Sequence, residues 1–263
     1  GLEGILLISA VAGVAGAELF GSGAAGLLVG ALVGALIGLL FGIISTYGKA
    51  EQVVAGMGIN VFAYGFVPFL LMAIWAFPGI HIFPRELMVQ PVRTPVLNIS
   101  PVTILVFAIA ALGHLMLHKT ALGLRIKAVG EMPEAVDVAG LSVETIRIVA
   151  STIDGALAGL GGAFLPLAWF GGLVKEISAG RGFIALACVV ISGLEPLLAL
   201  AASFIFGFAE GFAYSVAVTP GVKERIPFYF VNMIPYLATL AIVTAAIGEK
   251  KFPRALGKPY RRE

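Results

Sequence analysis

Long apolar runs separated by short polar breaks fill the chain from end to end. The run Ala24–Thr46 contains no Asp, Glu, Lys or Arg, and it exceeds the roughly 20 apolar residues that cross a hydrocarbon core of about 30 Å as a helix. Reading each run against its Gly, Pro and charged breakers predicts helices over Ile5–Phe20, Ala24–Thr46, Val53–Phe77, Pro101–His118, Ile148–Phe170, Gly182–Ser192, Pro196–Val218 and Tyr229–Gly248. The fold class is therefore all-α, a polytopic transmembrane helical bundle of about eight helices or half-helices. Residues 1–263 read as a single membrane domain, with no stretch left over for a separate globular one. Gly182–Ser192 is too short for a full crossing, and Gly193-Leu-Glu-Pro196 separates it from the next run. A half-helix or broken helix is expected there, with protein around its freed backbone groups.

Charge gives the runs an orientation. Lys250, Lys251, Arg254, Lys258, Arg261 and Arg262 crowd the C-terminal tail, and Arg125 and Lys127 lie in the polar segment Lys119–Arg147. By the positive-inside rule both segments are cytoplasmic. Alternation then puts Pro78–Ser100, Gly171–Arg181 and Thr219–Phe228 outside and the Lys49 loop inside, provided Gly182–Ser192 counts as an inward leg. Arg85 and Arg93 are mild exceptions in a longer, Pro-rich outer loop.

Composition agrees: 59% of residues are apolar and 12% charged, against roughly 45–50% and 25% in soluble chains, and the mean hydropathy is +1.03. The net charge of +2 gives no reason to expect nucleic acid. Cys188 is the only cysteine, so no intrachain disulfide exists. Gly26, Gly30, Gly34, Gly38 and Gly42 recur every four residues and fall on one helix face. Such a face lets another backbone approach closely, and it reads as a packing seam ahead of a glycine-lined pore wall. Weak self-similarity between this run and Gly193–Gly211, both carrying Phe-Gly near their ends, hints at the internal repeats of transporters.

Catalytic chemistry is missing. No Gly-x-x-x-x-Gly-Lys-Ser/Thr string is present, so ATP hydrolysis, if coupled to this chain, belongs to another one. His114 and His118 are spaced i, i+4, but Leu115 stands where a zinc protease carries its Glu, and no metal site is expected. No Gly-x-Ser-x-Gly elbow occurs, and Ser192 lacks an evident base. Polar residues inside the runs are the informative ones, because a buried polar group in a membrane needs a partner or a purpose. Asn60, Asp154, Glu210 and Asn232 are the candidates for a substrate path, each weighed against helix-to-helix hydrogen bonding; Glu18 reads as an interfacial residue.

The segment Lys119–Arg147 is too long for a turn and too patterned for a linker. Ala128, Val129, Ala135, Val136, Val138 and Ala139 alternate with Glu131, Glu134 and Asp137, and Pro133 sits where a helix can begin. A short amphipathic helix from Pro133 to Ala139, stopped by Gly140, is predicted. Its acidic face is wrong for anionic lipid, which favours Lys and Arg, so protein contact is the better reading.

These residues also carry a resemblance. Gly123-Leu-Arg-Ile-Lys-Ala-Val-Gly-Glu131, then Pro133-Glu-Ala135, Asp137 and Gly140, resembles the cytoplasmic coupling loop of permeases in the branched-chain amino acid, ribose and nucleoside ABC importer superfamily. The likeness continues through Gly155-Ala-Leu-Ala-Gly-Leu-Gly-Gly162 and Gly180-Arg-Gly-Phe-Ile-Ala-Leu-Ala187, and so covers nearly the whole chain. Gly1-Leu-Glu-Gly4, Gly56-Met-Gly-Ile-Asn60 and Ile234-Pro-Tyr236 look like the nucleoside branch, and like the shorter of its two paired permeases. Sugar permeases tend to carry Asp-Leu-Ser in place of the first string, and amino acid permeases Asn-Leu-Ala. Ser192-Gly-Leu-Glu-Pro196 departs mildly from the family pattern. Family members also have a helix before the Gly-Leu-Glu-Gly string, so the resemblance implies that one N-terminal helix is missing from this chain.

The resemblance implies a multi-pass permease of a prokaryotic cell membrane with its C-terminus in the cytoplasm. The implied partners are a second permease, two cytoplasmic ATPase subunits or domains, and an external substrate-binding lipoprotein. Residues 119–147 would form the coupling loop, with Gly130, Glu131, Pro133, Glu134, Ala135, Asp137 and Gly140 at the contact. No cofactor is expected on this chain; ATP-Mg would sit on the partner ATPase. A nucleoside is the expected cargo, because a ribose suits neutral partners such as Asn60 and Asn232 and a base suits stacking; a sugar or a branched-chain amino acid stays open. The rival classes are a self-sufficient secondary transporter or channel, and a structural subunit with no path of its own.

Overall fold

In a computed structural model the described residues are 1–90, 92–93, 98–218, 253–258 and 260. They form α1 (Leu2–Phe20), α2 (Gly23–Thr46), α3 (Gln52–Trp75), α4 (Pro101–Lys119), α5 (Ala121–Glu131), α6 (Pro133–Val138), α7 (Val143–Phe164), α8 (Arg181–Ile191) and α9 (Pro196–Val218). Four two-residue strands make two small antiparallel pairs: β1 (Ile80–His81) with β4 (Leu173–Val174), and β2 (Val92–Arg93) with β3 (Asn98–Ile99). Six of the described helices are long and apolar enough to cross a membrane, and α8 is the short apolar one. The chain is thus an all-α, multi-pass membrane protein. The expected run Tyr229–Gly248 and the loop Thr219–Phe228 lie outside the described residues.

Two compact units are present. The first holds Gly1–Ile109, Leu115–Gly182 and Pro253–Glu263; the second holds Ala110–His114 and Phe183–Phe252. In the first, α1 is the enclosed helix: Leu7, Ala10, Val14 and Ala17 are fully buried, packed among Leu27 of α2, Val67 and Leu71 of α3, and Ala163 of α7. A helix apolar all round is stable when other helices cover it. In the second, Cys188 of α8 packs with Ala202 and Phe206 of α9.

The glycine face of α2 is what holds the first unit together. Gly26, Gly30, Gly34, Gly38 and Gly42 are all buried, while Leu28, Leu32, Leu36 and Leu40 are exposed. A Cβ on Gly34 would overlap the Gly155 carbonyl and come within 2.5 Å of the Gly159 Cα; one on Gly38 would meet the Gly155 Cα at 2.9 Å. The fit is reciprocal, since a Cβ on Gly159 would reach the Gly34 Cα at 2.8 Å. The two helices therefore touch backbone to backbone, which is how association is won where lipid already solvates apolar side chains. α1 joins at the end of the seam, where a Cβ on Gly13 would lie 2.6 Å from the Ala163 Cβ.

The structure differs from the sequence reading in four places. α7 begins at Val143 rather than Ile148, because Ser142 caps it through the Thr145 N–H at 3.2 Å and continues the helix into the polar segment. Its last turn, Leu165–Phe170, widens to a π-helix around Pro166, which lacks the N–H an α-helix needs there. Residues 121–131 are helical, although Gly123 and Gly130 had disguised them. The stretch Gly171–Arg181 is not a plain outer loop: Ile177 and Ser178 are 3% and 1% exposed, and Ser178 and Gly180 hydrogen-bond Glu3 in the first turn of α1.

Gly34→Leu should abolish most of the yield of assembled protein, because the added side chain has only backbone to displace and overpacking alone costs about 1–3 kcal/mol. Leu36→Ala, at a residue 59% exposed, should shift stability by about 0.5 kcal/mol or less. Detergent-solubilised yield and melting temperature of the two variants check the seam; equal values would argue against it.

Candidate functional site

Two places concentrate polar chemistry in the first unit. One is the platform built from α5, α6 and the start of α7. α4 turns into α5 at Thr120, whose hydroxyl donates to the Met116 carbonyl at 2.6 Å and accepts from the Gly123 N–H at 3.2 Å. A Cβ on Gly123 would strike the Met116 carbonyl and the Leu117 Cα, so the tight corner needs this glycine. Pro133 opens α6 at its first position, and Gly140, at φ 79°, ends it. Val129, Val136, Val143 and Ile146 form a small separate core beneath, with Leu141 and Tyr260 against it.

The outward face of α6 presents Glu134, Ala135, Val138 and Ala139, and Val138 is 90% exposed. The other side is held by the C-terminal segment. The Ala255 N–H donates to the Gly130 carbonyl at 3.0 Å, Arg147 Nη1 to the Lys258 carbonyl at 3.1 Å, and the Tyr260 hydroxyl to Asp137 Oδ2 at 3.0 Å. Arg254 and Glu131 form an exposed pair at 3.4 Å, of the kind that contributes little to stability. Partial burial, the Asp137 acceptor and the nearby charges of Asp137, Glu134 and Glu144 push the Tyr260 phenol above its ordinary value, which keeps it a donor. Between these groups lies an open cavity of about 370 Å³ bordered by Glu131, Pro133, Glu134, Arg147, Lys258 and Tyr260.

The second place is the start of α1. Asn60 Oδ1 accepts from the Gly4 N–H at 2.8 Å, one of the first-turn donors that a helix leaves without an internal partner. A Cβ on Gly4 would lie 2.7 Å from the Ile59 carbonyl oxygen, so α1 and α3 touch there. Asp154, exposed on α7, is within electrostatic reach of Gly1. Asn60 and Asp154 thus gather around one helix end. Glu210 lies apart, on α9 in the second unit and half-buried, and Asn232 falls outside the described residues.

Glu3, not singled out beforehand, completes the picture at the start of α1. Glu3, 2% exposed, accepts from the Gly180 N–H at 2.9 Å, the Gly182 N–H at 2.7 Å and the Ser178 hydroxyl. The available signal was a carboxylate in an apolar run, which is costly without donors. At the far end of α1, Glu18 takes the Trp75 indole N–H at 2.7 Å and the His81 ring at 2.6 Å, and the two rings stack at 4.4 Å. The pairing of β1 with β4 puts the segments after α3 and α7 at this same end, whereas Ser45, Gln52, Pro253, Ala255 and Leu256 share a hollow at the platform end.

Similarity to other proteins agrees with this arrangement. Residues 1–244 match the family described as branched-chain amino acid transport system / permease component. The guanosine ABC transporter permease protein NupQ of Bacillus subtilis is 33% identical over 99% of this chain and 86% of its own length. The nucleoside ABC transporter permease protein NupC of Lactococcus lactis is 32% identical with the same coverage. A putative glucose ABC transporter permease of Haloferax volcanii is 28% identical over the full chain and 88% of its own length. No solved structure matches. With six apolar spans among the described residues, a helical platform at one end and a family match over nearly all its length, the chain belongs to the family of permease components of branched-chain amino acid-type transport systems and is a membrane-spanning ABC transport subunit.

Proposed function

We propose that this permease forms half of the translocation path of an ATP-driven importer for nucleosides. The observation that carries the reading is near full-length similarity to two permeases named for guanosine and nucleoside transport. The interior supports a neutral cargo. Half-helix N-termini in transporters commonly face anionic ligand groups, but here the N–H donors at the start of α8 already face Glu3. An amino acid carboxylate would compete there with a carboxylate already in place, whereas a nucleoside needs only neutral hydrogen-bond partners and apolar or aromatic surface. Asn60, Asp154 and Glu210, together with Asn232, are our candidates for the walls of the path.

The partners follow from what the chain lacks and offers. It has no phosphate-cradling string, so ATP-Mg would be bound and hydrolysed by separate ATPase subunits. The exposed face of α6, flanked by Glu131, Pro133, Glu134, Ala135 and Gly140, is the docking surface we assign to them, with Gly130 and Asp137 holding it to the C-terminal segment. We place this platform and the C-terminus in the cytoplasm, on the strength of Arg125, Lys127, Arg254 and Lys258 at that end. A second permease would complete the path, and an external binding lipoprotein would deliver cargo at the opposite end. Residues 1–263 act in this reading as one permease domain.

Three outcomes are expected. Complete complex in proteoliposomes should take up radiolabelled guanosine only with ATP; ATP-driven uptake of glucose or leucine, with none of guanosine, would refute the cargo. Glu134→Cys should react with an impermeant maleimide in inside-out vesicles and not in intact cells, and the converse pattern would invert the topology. Background is low because the native Cys188 is buried. Asn60→Ala should lower the melting temperature of the complex through a loss of about 1–3 kcal/mol at the orphaned Gly4 N–H, while Asn60→Asp, which keeps the acceptor, should lose less; identical stabilities would discard the joint.

A further inference from the structure

The nucleoside reading uses Glu3 only as a group that occupies donors, yet its geometry asks for more. It is 2% exposed, and its neighbour Gly4 is level with Ile59 and Asn60, eight residues or about 12 Å along α3 from Gln52. A carboxylate at that depth is costly unless several donors hold it. Those donors all come from residues 178–182. The Ser178 hydroxyl and Gly180 N–H go to Oε1, and the Gly182 N–H goes to Oε2.

These groups surround the first residue of α8, Arg181. α8 has 11 residues, about 16 Å of helix, and its first turn leaves N–H groups without partners inside the helix, the one of the buried Gly182 among them. Glu3 therefore does for α8 what a capping side chain does locally, from another helix, and its charge suits the positive end of the helix dipole. The attachment is also steric. A Cβ on Gly182 would lie 2.6 Å from the Glu3 N and 2.7 Å from its Cα, so the two backbones touch. Arg181 itself donates to the Ile177 and Ser178 carbonyls at 3.2 Å and lies over the Phe170 ring at 5.2 Å, which ties the same turn to the end of α7. Gly182 is the last residue of the first compact unit before the chain enters the second at Phe183.

We propose that Glu3 is a positioning residue for transport: it pins the N-terminal end of α8 to α1, so that α8 tilts about a fixed end during the cycle instead of sliding. The proposal rests on the permease reading. Glu3 is enclosed and its hydrogen bonds go to residues 178–182, so its loss should change how fast the cycle runs and leave cargo recognition alone. Glu3→Gln keeps the shape but turns an amide N–H toward a backbone donor. Ser178→Ala removes one donor and leaves both N–H contacts intact, so it assembles even where the first variant does not.

The test is guanosine uptake by complete complex in proteoliposomes, with maximal rate expressed per assembled complex, beside ATP hydrolysis stimulated by the binding protein. Glu3→Gln should lower the maximal rate about tenfold and Ser178→Ala about threefold, as expected for weakened hydrogen bonds to a buried charge, with the half-saturating guanosine concentration unchanged. A Glu3→Gln complex of reduced yield whose maximal rate per complex equals wild type would make Glu3 a static staple and overturn the proposal. So would a raised half-saturating concentration at unchanged maximal rate, which would put Glu3 on the ligand. Wild type that takes up no guanosine would count against the cargo alone. The stimulated ATP hydrolysis of the same samples still decides on Glu3, falling in parallel in both variants if the pin matters and matching wild type if it does not.

Discussion

Backbone contact between α2 and α7 is the constraint on which the first unit depends. In lipid, apolar side chains gain little by leaving one hydrocarbon surface for another, so helix association rests on close packing and on polar contacts. Gly30, Gly34 and Gly38 on one helix face Gly155 and Gly159 on the other so tightly that no Cβ fits at either side. That contact determines where α1 goes. Gly13 and Ala163 meet at the end of the seam, and a Cβ on Gly162 would lie 2.9 Å from the Leu6 Cα, leaving α1 enclosed by helices that are themselves largely exposed on their outer faces.

Enclosure of α1 creates the polar problem that the rest of the interior answers. Its first turn begins among other helices, so its free N–H groups and the carboxylate of Glu3 lie away from water. Asn60 answers for the Gly4 N–H, and residues 178–182 answer for Glu3. Each solution joins a different element to the same helix end, α3 in one case and the lead-in to α8 in the other. The opposite end repeats the device with Glu18, Trp75 and His81. Three polar joints therefore act where apolar packing in lipid contributes least to orientation.

The sequence made the spans and the four-residue glycine face legible because both are local and periodic: eighteen or more apolar residues, and a repeat close to one helical turn. It also marked α6 through Pro133 and Gly140. What stayed hidden was pairwise. Nothing local announces that Gly155 and Gly159 are the counterpart of Gly34, or that Asn60 meets a backbone N–H 56 residues away. Glu3 was read as part of a family string and not as a buried anion, because its partners are 175 to 179 residues distant. α5 escaped since Gly123 and Gly130 lower helix propensity, and the corner that requires Gly123 exists only once α4 and α5 are in place. Of the candidate path residues, Asn60 and Asp154 converge on one helix end, which no spacing between positions 60 and 154 could reveal.

α7 links the two ends of this argument. Its first residues, Val143 and Ile146, belong to the platform core with Val136 of α6, and three turns later its Gly155 is locked into the seam with α2. A continuous helix carries a push at one end to the other with little loss, because its hydrogen bonds and close-packed neighbours resist compression. A displacement of α6 therefore cannot be absorbed between the platform and the seam without breaking the Ser142 cap or parting backbones that already touch. Most of this contact is backbone on backbone, and the side chains set against it are small, Ala163 opposite Gly30 and Ser151 opposite Gly42. The seam that assembles the unit thus also fixes the platform end of α7 against α2, and the absence of Cβ atoms at Gly34, Gly38, Gly155 and Gly159 accounts for both.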